Sequence, residues 1–87
     1  MHEPVRLGIM TILVSLNKAS FSYLKKELNL NDGNLFSHLK TLENSNYISV
    51  KKAFVDRKPR TTYKITEKGK KALLEHVKTL ERIISKL

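Results

Sequence analysis

The 87-residue chain contains no cysteine. That absence excludes disulfides, thiolate nucleophiles and cysteine-ligated zinc, and it fits a reducing cytosol. Long apolar runs are also missing. The opening stretch MHEPVRLGIMTILVSLN has no secretory layout, and its apolar part is short and interrupted by Thr11 and Ser15. Neither export nor membrane spanning is expected, and the protein is expected to be cytoplasmic and nucleoid-associated. There is no carboxylate pair, no nucleophile–base pair and no glycine-rich phosphate loop, so catalysis has nothing to stand on and no cofactor or metal is expected. The length allows one domain, residues 1–87, with a small core. An apolar share of 40% argues against wholesale disorder.

What is present in excess is positive charge. The formal net charge is +9, and its placement says more than its size. Lys51 to Lys71 holds nine Lys or Arg against two acids, a surplus of +7, whereas the other sixty-six residues hold eight bases and six acids, a surplus of +2. A concentrated positive field suits a polyanion, because bound Lys and Arg displace condensed counterions. An anionic membrane surface would call for a basic helix with an apolar underside, and this stretch reads as strands and turn.

The most informative stretch is NDGNLFSHLKTLENSN, Asn31 to Asn46. Wound at 3.6 residues per turn it has two unlike faces. Leu35, Leu39 and Leu42 fall on one side, with His38 at its edge. Gly33, Ser37, Lys40 and Asn44 fall on the other, flanked by Phe36, Asn34 and Thr41. The first side can anchor a helix in a core. The second carries small and hydrogen-bonding groups suited to base edges in a DNA groove. An ordinary amphipathic surface helix would share the pattern, so the surrounding chain has to decide.

The first helix is expected from Pro4 to about Asn17, within a segment 1–17, with proline at a tolerated first-turn position. It is apolar on two sides: Val5, Ile9, Ile12, Leu13 and Leu16 on one, Leu7, Met10 and Val14 on the other. A connector follows, with a minimal strand at Ser20–Phe21. Ser22 then reads as the N-cap of a second helix, Tyr23 to Asn29, which buries Leu24 and Leu28. The third helix, 32–44, follows at once from the N-cap Asn31, so the two must cross steeply, as in a helix-turn-helix. Alternation at Ile48, Val50 and Phe54 predicts a half-buried strand. Asp56 to Pro59 reads as a turn, with Pro59 keeping the tip out of regular pairing, and a second strand spans Thr61 to Ile65. This hairpin, 48–65, carries Arg57, Lys58 and Arg60 at its tip. Thr66 caps a last helix, Glu67 to about Lys86, in which Gly69 allows close approach to the sheet. Leu73, Val77, Leu80, Ile84 and Leu87 on it step by 4, 3, 4, 3, a heptad-like seam. That seam and the second stripe of the first helix either cover each other or pack against a second copy. The homodimer is the preferred reading, with Leu7, Met10, Val14, Val77, Leu80, Ile84 and Leu87 at its interface.

The resulting order is helix, helix, helix, hairpin, long helix: an α+β, mainly α, winged helix-turn-helix. The chain resembles the small winged-helix regulators of bacteria and archaea near the ArsR and MarR groups, and most of all the short winged helix DNA-binding family of many archaea. The resemblance rests on Leu30-Asn31-Asp32-Gly33-Asn34-Leu35, Ser37-His38-Leu39-Lys40, Leu42-Glu43-Asn44, Tyr47-Ile48, Arg57-Lys58-Pro59-Arg60-Thr61-Thr62-Tyr63 and Ile65-Thr66-Glu67-Lys68-Gly69-Lys70. It implies a dimeric transcriptional regulator, with the third helix in the major groove and the wing on flanking DNA. Phe36 departs from the small polar residue usual in such families. It either touches a thymine methyl or folds down against the second helix. The thiolate motifs of metal-sensing ArsR proteins are missing.

For double-stranded DNA, the base-reading candidates are Gly33, Phe36, Ser37, Lys40 and Asp32. Asn31, Asn34 and Ser22 are phosphate candidates. Arg57, Lys58 and Arg60 are expected on the neighbouring backbone or minor groove. His38 is expected to be structural, and His2 and His76 isolated and solvated. A small-molecule effector is not specified by any motif. Two rival readings share the fold: a protein–protein adaptor and a sequence-indifferent DNA-coating protein.

Overall fold

The computed structural model describes residues 3–87; His2, expected to be solvated, lies outside them. The chain runs α1 (Pro4–Leu16), β1 (Ala19–Ser20), α2 (Phe21–Leu28), α3 (Asp32–Asn44), β2 (Ile48–Val55), β3 (Lys58–Ile65) and α4 (Glu67–Ile84). The three strands form one antiparallel sheet in the order β1-β3-β2. This is a winged helix: four helices and a small sheet whose long hairpin projects as the wing.

Each helix starts where a side chain accepts the otherwise unpaired amides of its first turn. Asn31 Oδ1 accepts from the Asn34 amide at 2.8 Å, and Thr66 Oγ1 accepts from the Gly69 amide at 3.0 Å. The cap of α2 is Ser20, not Ser22: Ser20 has extended backbone and its hydroxyl accepts from the Tyr23 amide at 3.1 Å. Ser22 is therefore inside the first turn. The minimal strand also sits one residue earlier than expected, with Ala19 opposite Tyr63 and Ser20 opposite Thr62. Glu3 caps α1, its carboxylate accepting from the amides of Val5 and Arg6. Asn17 and Asn29 close α1 and α2 with positive φ, which asparagine tolerates better than most residues.

The core is one cluster. Ile9, Met10 and Leu13 from α1 meet Leu24 of α2, Leu35, Leu39 and Leu42 of α3, Ile48 and Tyr63 of the sheet, and Leu73 of α4. Met10, expected on a stripe free to meet a second copy, is fully buried instead, because α4 crosses it at close range. Gly69 makes that crossing possible: a Cβ there would lie 2.2 Å from the Tyr47 carbonyl oxygen and 3.0 Å from Met10 Cε. Tyr63 is buried against the core, and that burial, with Glu43 nearby, raises its phenol pKa.

The wing is longer than expected. Pairing continues through Phe54↔Pro59 and Val55↔Lys58, leaving only Asp56 and Arg57 as the turn, both at positive φ. Pro59 lies in the ladder, correcting the expectation that it would interrupt it. In a two-residue hairpin the pair flanking the turn exchanges hydrogen bonds and the next pair does not, so Pro59 forfeits no bond to β2.

Candidate nucleic-acid interface

The leucines of α3 set the geometry. Leu35, Leu39 and Leu42 are all but sealed in the core, which turns Gly33, Asn34, Phe36, Ser37, Lys40 and Thr41 to solvent. No described residue covers this polar face. Phe36 is 56% exposed, so it does not fold down to be covered by α2. The Ser37 carbonyl accepts the Thr41 hydroxyl at 3.1 Å, while the Ser37 side chain remains outward.

At the start of α3 the chemistry is more constrained than the sequence suggested. Asn31 spends its carbonyl oxygen on the cap and keeps its amide NH2 for a further acceptor. Asp32 is exposed but held by Lys25 of α2, Nζ to Oδ1 2.8 Å. The pair sets a positive charge beside the carboxylate at the start of α3. Lys25 was missed in sequence reasoning. The only signal was its place in the last turn of a short helix that runs straight into α3.

The wing reaches this surface through α2. One groove is lined by Ser20, Phe21 and Ser22 on one side and by Val55, Asp56 and Lys58 to Thr61 on the other. A second joins Phe21, Ser22, Lys25, Lys26 and Asn29 to Asp32. The two grooves share Phe21 and Ser22, so one continuous surface runs from the wing past the start of α2 to the start of α3. Ser22, Asp32, Lys58 and Arg60 line it, and Arg57 stands exposed at the wing turn. The outer face of the sheet adds Lys51 and Lys64, which the sequence reading did not single out. Lys18, Lys51, Arg60 and Lys64 line a shallow concavity of about 380 Å³ with no acidic side chain in it.

His38 is half-buried and structural in its contacts. Its Nδ1 lies 3.1 Å from Glu3 Oε2 and 3.3 Å from Arg6 Nη1, donating to the first or accepting from the second. It ties α3 to the start of α1. Burial raises the Glu3 pKa, but the amide bonds from Val5 and Arg6 and the charges of His38 and Arg6 outweigh it, and the net shift is downward. His76, expected to be solvated, is half-buried on α4, beside Tyr47, Ala72 and Leu80.

The residues expected at a dimer interface divide. Met10 is in the core and Leu7 packs on it half-buried, while Val14, Val77, Leu80 and Ile84 are 39–65% exposed and Leu87 is fully exposed. Leu74 and Ile83 add further apolar surface. No described helix is long and apolar enough to cross a membrane.

Residues 5–84 match the model of the family described as "Winged helix DNA-binding domain". An uncharacterised protein of Methanocaldococcus jannaschii is 41% identical over 76 residues, covering 87% of this chain and 83% of that protein. The structure of a transcriptional regulator homologue from Pyrococcus horikoshii superposes with a TM-score of 0.89 at 40% identity, covering 95% of this chain and 82% of the other. That of a PadR-like transcription factor from Bacteroides fragilis gives 0.81 at 26% identity, covering 94% and 84%.

Proposed function

The chain belongs to the winged helix DNA-binding domain family, and from that premise we propose that it is a sequence-specific transcriptional regulator that binds double-stranded DNA as a homodimer. In this reading α3 lies in the major groove and the wing lies on the flanking backbone or minor groove. The observation that carries it is the division of α3: three sealed leucines beneath an outward row of Asn34, Ser37 and Lys40. Lys40 reaches guanine or a phosphate, Ser37 reaches a base edge, and Gly33 lets the backbone come close. Phe36 offers an apolar edge to a thymine methyl. Asn31, Asn34 and Ser22 serve phosphates, with the amide-rich start of α3 behind them. Asp32, paired to Lys25, can accept from a cytosine amino group only when that pair opens.

The homodimer rests on α4. Beyond Leu73 its apolar side chains are only partly covered by the described residues, and Val77, Leu80, Ile84 and Leu87, increasingly exposed in that order, continue the heptad spacing into solvent. Packing that row against its copy buries it and places two α3 helices on one duplex, suited to half-sites about one helical turn apart, ~34 Å.

Selection of preferred duplexes from random DNA, followed by salt titrations on a selected and a scrambled duplex, tests the proposal. A specific regulator gives a gap of roughly a thousandfold or more between them. A coating protein gives equal, steeply salt-dependent binding to both, and an adaptor binds both weakly; either result rejects the reading.

A further inference from the structure

Phe54, expected to be half-buried on the strand face that carries Ile48 and Val50, is 77% exposed. The cause is length. The inner face of the hairpin is in the core at Ile48 and Tyr63, but the ladder continues five residues beyond the Val50↔Tyr63 pair. At about 3.4 Å per residue that is a projection of roughly 17 Å. Beyond the core the same face presents Lys52 with Thr61, then Phe54 with Pro59 directly across.

An isolated exposed phenylalanine is ordinary on a protein surface. This one stands on a narrow two-stranded finger, opposite a proline that has no side-chain freedom to lose, with Lys52 on its own face, Arg57 at the turn, and Lys51, Lys58 and Arg60 on the reverse face. Only Asp56 opposes those five cations between positions 51 and 60. An apolar partner protein would have to strip water from them for nothing in return. A nucleic-acid duplex answers both features, since phosphates line the groove walls and base or sugar surface lies at the floor. Apolar wedges flanked by cations are a known way to part a base step in the minor groove.

We propose that Phe54, backed by Pro59, is a wedge that enters the minor groove beside the α3 site, stacks against a partly opened base step and bends the duplex. The proposal rests on the DNA-binding reading above and adds a specificity that needs no base-edge hydrogen bond: sites with a flexible TA or CA/TG step under the wing are favoured because they open most easily.

The test compares wild type with Phe54→Ala, Phe54→Leu and Phe54→Trp on end-labelled duplexes that carry a TA step or a stiff A-tract in the flank. Wild type bends the TA duplex by about 20° or more, read by end-to-end energy transfer. Phe54→Ala binds it about tenfold more weakly and leaves it nearly straight, while its affinity for the A-tract duplex is little changed. Phe54→Leu keeps most of the bend. The chain has no tryptophan, so Phe54→Trp supplies a single reporter whose emission is quenched by stacking on the TA duplex. Fold loss does not confuse the result, because the side chain lies outside the core, and circular dichroism confirms it. Tight binding to a straight duplex, or unchanged indole emission from the Phe54→Trp variant, overturns the wedge and leaves the DNA-binding function intact. Failure of wild type to bind any duplex overturns both. A lower mass for Phe54→Ala in light scattering makes Phe54 a contact between copies and also overturns the wedge.

Discussion

Replacing Gly69 with alanine should destabilise the protein, although in most helices the same exchange stabilises. The chain has three glycines, all in helices and none with positive φ, so backbone conformation does not separate them. Space does. A Cβ at Gly33 meets nothing nearer than Asn31 Oδ1 at 3.7 Å, ordinary contact. A Cβ at Gly8 meets the end of the Leu28 side chain at 3.1 Å, which can give way. A Cβ at Gly69 would stand 2.2 Å from the Tyr47 carbonyl oxygen and 2.9 Å from Ile65 Cγ1. That carbonyl accepts the Thr66 amide at 3.0 Å, at the point where α4 begins. Alanine gains about 1 kcal/mol in helix propensity. Overpacking costs roughly 1–3 kcal/mol, and loss of the Tyr47–Thr66 bond costs about 1 kcal/mol more. The net loss is about 1–3 kcal/mol, which for a urea slope near 1 kcal/mol per molar lowers the midpoint by about 1–3 M. Urea unfolding of the Gly69→Ala and Gly33→Ala variants side by side measures it. A Gly69→Ala variant as stable as Gly33→Ala would refute the claim that α4 is seated by backbone contact.

Replacing Arg57 and Lys58 with alanine should weaken binding to all duplexes alike and reduce the log–log salt slope by about 2, read by fluorescence anisotropy at several salt concentrations. Leu80→Glu with Ile84→Glu should yield a folded monomer, since both side chains lie outside the core, and light scattering that shows an unchanged dimer mass removes the seam. The lowered Glu3 pKa means its stabilisation is complete above its unfolded value of 4.5 and is lost as pH falls through the lower folded value. Melting of Glu3→Gln should therefore converge on wild type in acid. The raised Tyr63 pKa has the opposite course: its stabilisation is complete below 10.0 and is lost as pH rises above it, and Tyr63→Phe should lack that alkaline loss.

Much of this architecture could be read before any coordinates. Asn31 and Thr66 cap where short polar residues precede helical periodicity, and the leucine spacing of α3 settles which face is inward. What escaped the reading depended on contacts distant in sequence. Ser20 and Ser22 are equivalent as local cap signals, and only the pairing of Ala19 and Ser20 with β3 puts Ser20 in extended backbone. Pro59 is a strand breaker by default, and its tolerance follows from a register that the two-residue turn at Asp56–Arg57 sets. Met10 lies on a stripe that periodicity alone leaves ambiguous, and the crossing of α4 at Gly69 decides it. Lys25 was missed because its contact with Asp32 joins the last turn of α2 to the start of α3, a pairing that a linear pattern does not display.

The central claim is that the outward face of α3 and the wing grip one duplex, with α3 reading its sequence. Backbone amide shifts of isotope-labelled protein, followed on titration with a selected and a scrambled duplex, test it most directly. The account predicts that residues 56–60 move with both duplexes and that residues 33–40 move strongly only with the selected one. Shifts at 33–40 that are identical for both duplexes, or perturbation confined to α4, would contradict it.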